Sequence, residues 1–143
     1  MNIYIRCQNN DLLKYLSDEQ CAILLAKSEQ AQLKAGDYVF ADKHAPDCFI
    51  MVQQGELELR KPNGNSIANV FPGEVDGEAC FLEPSPAPYY LQAVKQSTIL
   101  KLPYGTMREF IAENPEHGAR IHAAINDSLC LKIIRITHRR NHG

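Results

Sequence analysis

A chain of 143 residues with 15 Lys+Arg against 17 Asp+Glu is of single-domain size and nearly neutral, so a second large domain is excluded. Hydrophobic residues at 45% and charged residues at 22% exclude a disordered, collagenous or coiled-coil chain, and a formal charge of −2 gives no overall attraction for nucleic acid or acidic membranes. A chain of this length buries about 70% of its unfolded surface, enough for a core without metal or disulfide.

The opening Met1-Asn2-Ile3-Tyr4-Ile5-Arg6-Cys7 has neither a sustained apolar stretch nor a small-residue cleavage site, so no secretory signal is expected. The longest apolar runs, 21–26 and 48–52, fall far short of the roughly 20 residues that a membrane span requires. A cytoplasmic protein without membrane contact is expected. Ser17-Asp18-Glu19-Gln20 has capping-box spacing ahead of Cys21, Leu24 and Leu25, which predicts a helix over 17–27. From Leu33 onward the period shortens toward two, and Gly, Pro and Asn punctuate short β-type runs. Strands are predicted at 38–41, 48–53, 56–61, 66–71, 90–95 and 98–102. Pro62-Asn63-Gly64-Asn65 is read as a hairpin turn, and Gln54-Gly55 as another one strand earlier. Thr106-Met107-Arg108-Glu109 repeats the capping box and predicts a helix through Glu113, which Asn114-Pro115 breaks.

The last helix is predicted over about 116–139. Ile121, Ile125, Leu129, Ile133 and Ile136 recur at spacings of four, four, four and three, one continuous apolar stripe that Leu131 and Ile134 widen and Lys132 and Arg135 interrupt. At 1.5 Å per residue this helix is roughly 30 Å long, more than so small a domain needs to cover its own sheet. Part of the stripe is therefore expected to meet a second copy of the chain, giving a homodimer. Together the elements describe an α+β, mainly β domain: a double-stranded β-helix or jelly-roll β-roll with flanking helices over residues 11–113, followed by a C-terminal dimerisation helix over 114–139.

Chemistry-bearing motifs are sparse. Five cysteines (Cys7, Cys21, Cys48, Cys80, Cys130) are odd in number and widely spaced, so buried reduced thiols are expected rather than a disulfide framework or a zinc site. His44 stands alone, and His117 and His122 are five apart, which is not metal-ligand spacing. No Gly-x-Ser-x-Gly, P-loop or dinucleotide fingerprint is present, and no enzyme is expected. The basic run Arg135 to His142 suits a helix C-terminus through the macrodipole.

Several segments carry a resemblance. Leu33-Lys34-Ala35-Gly36-Asp37-Tyr38-Val39-Phe40, Phe49 to Leu59, and Gly73-Glu74-Val75-Asp76-Gly77-Glu78-Ala79 resemble, in this order, a strand opening, the central strand pair and the phosphate-binding cassette of the cyclic-nucleotide-binding domain family. The resemblance implies a β-roll sensor module like that of the catabolite activator family. It implies that Gly77 and the backbone N–H groups of Glu78 and Ala79 face a cyclic phosphate at the start of a short helix, with Glu78 accepting a hydrogen bond from the ribose hydroxyl. In family register, Ala87 stands where an Arg pairs with the phosphate, and Pro88 where a small residue assists. Tyr89 and Tyr90 follow, placed to stack a base or fill the pocket. Between Pro62 and Val94 there are four acidic residues and no Lys, Arg or His, a window of formal charge −4 that suits an anion poorly.

A bidentate Arg–phosphate contact is worth about 3 to 6 kcal/mol, so Ala87 lowers affinity for cyclic AMP or cyclic GMP by about two to four decades. The chain is thus read as a regulatory module with an altered cassette that takes a cyclic nucleotide weakly, or another small ligand. The alternative is a dimerisation or protein-interaction module of the same fold without a ligand. The family's regulators often carry a helix-turn-helix domain after the long helix; the chain stops at Gly143, so direct DNA binding is not expected.

Overall fold

The run Cys48-Phe49-Ile50-Met51-Val52 is apolar at every position because both faces of its strand are buried. In the computed structural model, which describes residues 9–40, 46–84 and 90–142 (the last four as backbone only), this run is the central strand of the domain. Helix α1 (Asp18–Ala26) is followed by β1 (Glu29–Leu33), β2 (Cys48–Gln54), β3 (Leu57–Arg60), β4 (Ser66–Val70) and β5 (Val75–Asp76). Helix α2 (Glu78–Leu82), strands β6 (Tyr90–Ala93) and β7 (Ser97–Pro103), and helices α3 (Tyr104–Glu113) and α4 (Pro115–His142) complete the order. Two antiparallel sheets form, β1-β7-β2-β5 and β4-β3-β6. The expected β-roll with flanking helices and a long C-terminal helix is what the chain adopts.

Period-two alternation along β2 divides the interior into two clusters. Cys48, Ile50 and Val52 point between the sheets and meet Leu57, Leu59, Val70, Leu91 and Ile99. Phe49 and Met51 point toward the helices and meet Leu13, Leu24, Val75, Met107 and Phe110. Ile121 and Ile125 of α4 belong to this helix-side cluster, so α4 shares its core with the roll.

The Ser17 capping box forms as predicted, with Gln20 as its reciprocal partner. The Thr106 box does not: α3 starts two residues earlier, at Tyr104. Strand β7 runs straight into it, and the Tyr104 N–H is satisfied by the Asp47 carbonyl at 2.9 Å, so no side-chain cap is required. Pro62-Asn63-Gly64-Asn65 joins β3 to β4 as a hairpin. Gln54-Gly55 does not make a hairpin, because β2 and β3 lie in different sheets. Gly55 turns the corner at φ +94, where a Cβ would lie 2.6 Å from the Gln96 carbonyl oxygen. The predicted strand 38–41 reduces to one bridge, Tyr38 to Gln92, with Ala41 outside the described residues. Strands β1 and β5 have no counterpart in the sequence reading: β1 is a mostly exposed Glu-Gln-Ala-Gln-Leu edge, and β5 has two residues.

Candidate functional site

Gly77 caps α2 at φ +98, and a Cβ there would lie 2.9 Å from both the Cys48 carbonyl oxygen and Tyr104 Oη. Only glycine fits so close an approach to β2. The Tyr104 hydroxyl donates to the Gly77 carbonyl at 2.5 Å, and burial keeps that phenol well above its ordinary pKa. Phe81 from α2 stacks into a cluster with Phe49 (4.8 Å) and Tyr104 (5.4 Å), and the Arg108 guanidinium lies 5.1 Å from the Phe81 ring centre. These contacts pin α2 to the sheet and fix the direction of the side chain that opens it, Glu78.

The Glu78 side chain is only 1% exposed, yet both of its oxygens are engaged. Lys132 Nζ lies 2.7 Å from Oε1, and Ser128 Oγ donates to Oε2 at 2.6 Å. Lys132 Nζ also approaches Asp76 Oδ1 at 3.4 Å, and Arg135 pairs with Glu74. All three partners, Ser128, Lys132 and Arg135, come from α4. Burial pushes the Glu78 carboxyl above its ordinary pKa; Asp76 adds to that, while Lys132 and Ser128 oppose it. Burial alone would lower the Lys132 ammonium, but the carboxylates of Asp76 and Glu78 outweigh it and hold that pKa above normal. Asp11, on the same rim, is raised by burial and then by Glu74.

Beneath this ion-pair cluster lies a cavity of about 200 Å³. Leu59, Ile67, Val70 and Leu91 supply apolar walls, Asp76, Gly77, Glu78 and Ala79 one rim, and Leu129, Lys132, Ile133 and Ile136 the side closed by α4. Gly77, Glu78 and Ala79 therefore meet at one cavity. Tyr90 is not among its lining residues; its ring packs edge-on against Tyr38 at 5.9 Å. Ala87, Pro88 and Tyr89 lie outside the described residues.

Two readings of the charge pattern are corrected by this geometry. The acidic window 62–94 lacks a base in sequence but not in space, because Lys132 and Arg135 reach it from α4. Nor do these two cations break up a contact stripe, since they face the cassette. The stripe itself divides: Ile121 and Ile125 are buried in their own domain and are withdrawn from any dimer surface, Leu129 packs partly on the same core, and Ile136 borders the cavity. Ile133 and Ile134 are 64% and 62% exposed and Leu131 is exposed as well, with Leu131 and Ile133 at the edges of the cavity. The expectation of buried thiols holds for Cys21 and Cys48, whose thiol burial pushes to about 12, whereas Cys130 is exposed; Cys7 is outside the described residues. His117 stacks on Phe110 at 4.4 Å with Nε2 near Gln20, a packing role. Ser128, Lys132 and Arg135 carry a signal that the sequence reading passed over: spacings of four and three place them on one helix face, opposite in character to the isoleucines.

Residues 30–114 match the family model described as "Cyclic nucleotide-binding domain". Among solved structures the chain is similar to a Geobacter metallireducens protein assigned as cyclic nucleotide-binding, at 19% identity and TM-score 0.79 over 93% of this chain and 99% of that one. It is similar to the N-terminal domain of a Streptomyces coelicolor transcriptional regulator, at 26% identity and TM-score 0.71 over 91% and 93%. The sensor domain of the transcriptional regulator DNR from Pseudomonas aeruginosa is also similar, at 22% identity and TM-score 0.73 over 92% and 91%. With a family model matching more than half its length, and a β-roll whose cassette glycine and glutamate open onto one cavity, the chain belongs to the cyclic nucleotide-binding domain family.

Proposed function

We propose that this chain is a regulatory sensor module whose ligand enters the cavity beside Gly77 and Glu78 and is reported by movement of the distal part of α4. One observation carries the reading: both Glu78 oxygens are bonded to α4, so a ligand that engages this carboxylate competes with Ser128 and Lys132 for it. Differential affinity for the two helix positions is then the source of the signal. Similar chains described as a sensor domain and as part of a transcriptional regulator support a regulatory rather than catalytic role.

The altered cassette belongs to this proposal. Four carboxylates (Asp11, Glu74, Asp76, Glu78) border the cavity, and the two cations there are already paired. Helix α2 runs only five residues, so its dipole offers little to a phosphate against that charge. Cyclic AMP and cyclic GMP bind weakly for these reasons and for want of an Arg at position 87. Calorimetric titration with both, and with their non-cyclic counterparts, tests this together with Ala87→Arg. No micromolar binding is expected from the unmodified chain, and an affinity higher by about two to four decades from the variant. Micromolar binding without the substitution would overturn the charge argument.

A second reading rests on the exposed apolar surface of the distal part of α4, to which Leu131, Ile133 and Ile134 each contribute. On this reading the module pairs with a second copy or another protein through that face, a homodimer being the simplest case. Sedimentation should then give twice the chain mass, and Ile133→Glu should return the monomer.

A further inference from the structure

We infer that Lys132 is a built-in occupant of the Glu78 carboxylate, an autoinhibitory contact that holds the distal part of α4 shut over the cavity until an incoming ligand displaces it. The inference rests on the reading of that cavity as the ligand site, and three observations carry it.

Glu78 is the polar anchor buried deepest at the cavity rim, and each of its oxygens is taken by an α4 donor. The cavity beyond it is roomy: an apolar cavity of roughly 150 Å³ takes up benzene, and this one is about 200 Å³. There is space for a ring-sized group, and the buried carboxylate that would hold it already carries an α4 donor on each oxygen. The third observation is how little else secures the helix here. Ile133 and Ile134 turn to solvent at 64% and 62% exposure, and Leu131 is exposed as well. Leu129 and Ile136 are only partly buried, so over 128–136 the directional contacts of Ser128, Lys132 and Arg135 dominate. Earlier in the helix, Ile121, Ala124 and Ile125 are fully buried. The distal segment can therefore swing while the proximal segment stays docked, and the contact that must break is the one occupying the anchor.

Hydrogen exchange on the whole chain tests this without any ligand. In Lys132→Met, amides over 128–136 should exchange about tenfold faster or more, equivalent to about 1.4 kcal/mol of lost closure, over and above any global destabilisation that β2 and 118–125 share. Because the single variant leaves Glu78 buried without its cation, Glu78→Gln/Lys132→Met is the companion: it removes the closer ion pair from both sides and leaves only the longer Asp76 contact (3.4 Å) unmade, should fold, and should show the same local acceleration. Wild-type exchange over 128–136 in the folded double variant would overturn the contact, as would acceleration spread equally through β2 in both variants. Fluorobenzene, followed by fluorine NMR, probes the cavity itself and should bind the variants about tenfold more tightly than the unmodified chain. Faster exchange without fluorobenzene uptake upholds the Lys132 contact and instead removes the cavity as a ligand site.

Discussion

Over residues 115–125 helix α4 is held by area, and over 128–136 by charge. In the first stretch Ile121 and Ile125 disappear into the helix-side core with Leu13, Met107 and Phe110, and Ala124 is buried beside them in sequence. In the second, Ser128, Lys132 and Arg135 reach across a cavity to Glu78, Asp76 and Glu74 while Ile133 and Ile134 face water. Apolar burial is non-directional and costly to undo; a few polar contacts can be exchanged one for one with a ligand. One continuous helix thus contains a fixed part and a releasable part.

That comparison is broken most directly in the fixed part. Ile125→Ala should cost about 2–5 kcal/mol of global stability, read as a lower denaturant midpoint with unchanged slope, because a fully buried isoleucine leaves a cavity between α4 and the roll. A loss under 1 kcal/mol would show that the proximal segment is not the anchor.

A pH series sharpens the other half. Glu78 is raised above 4.5 in the folded chain, so its neutral form is favoured there, and its contribution to stability is present at acid pH and lost as pH rises through its folded pKa. Lys132 is raised above 10.5, so its contribution is complete below that value and is lost as pH rises through its own folded pKa. The stability difference between the wild type and Lys132→Met should therefore be widest at neutral pH, where it is about 3–5 kcal/mol if the buried charge is left uncompensated. It should narrow toward acid as Glu78 takes up a proton and above pH 10.5 as Lys132 releases one. Denaturant titrations of both proteins across this range check it; a pH-independent difference would assign Lys132 a packing role.

The smallest effect is expected at Arg135→Ala. Its side chain is 52% exposed, so the pair with Glu74 is worth about 0–1 kcal/mol and should fade with added salt. A salt-insensitive loss larger than this would mean that Arg135 anchors the distal segment as firmly as Lys132.

The fold was legible where backbone and solvent act locally. The Ser17 box and the Asn63-Gly64 hairpin depend on neighbours in sequence, and each appears where the residues ask for it. The Thr106 box failed because a carbonyl 57 positions earlier in the chain, that of Asp47, satisfies the helix start instead. Strand β1 was illegible because an exposed edge strand of glutamines and glutamate carries no apolar alternation, and only pairing with β7 makes it a strand.

For the site the division runs along the same line. The resemblance to the family's cassette placed Gly77, Glu78 and Ala79 at the start of a short helix, a local feature because positive φ and helix capping are properties of a few adjacent residues. The partners of that carboxylate could not be read locally, because Ser128 and Lys132 are 50 and 54 positions away and only the packing of Ile121 and Ile125 brings them over it. The isoleucine stripe was visible as a period, but a period does not say which core absorbs it. Tertiary packing divided it, burying the early isoleucines in the domain, leaving Ile133 in water, and turning two cations that looked like interruptions into the partners of the acidic cassette.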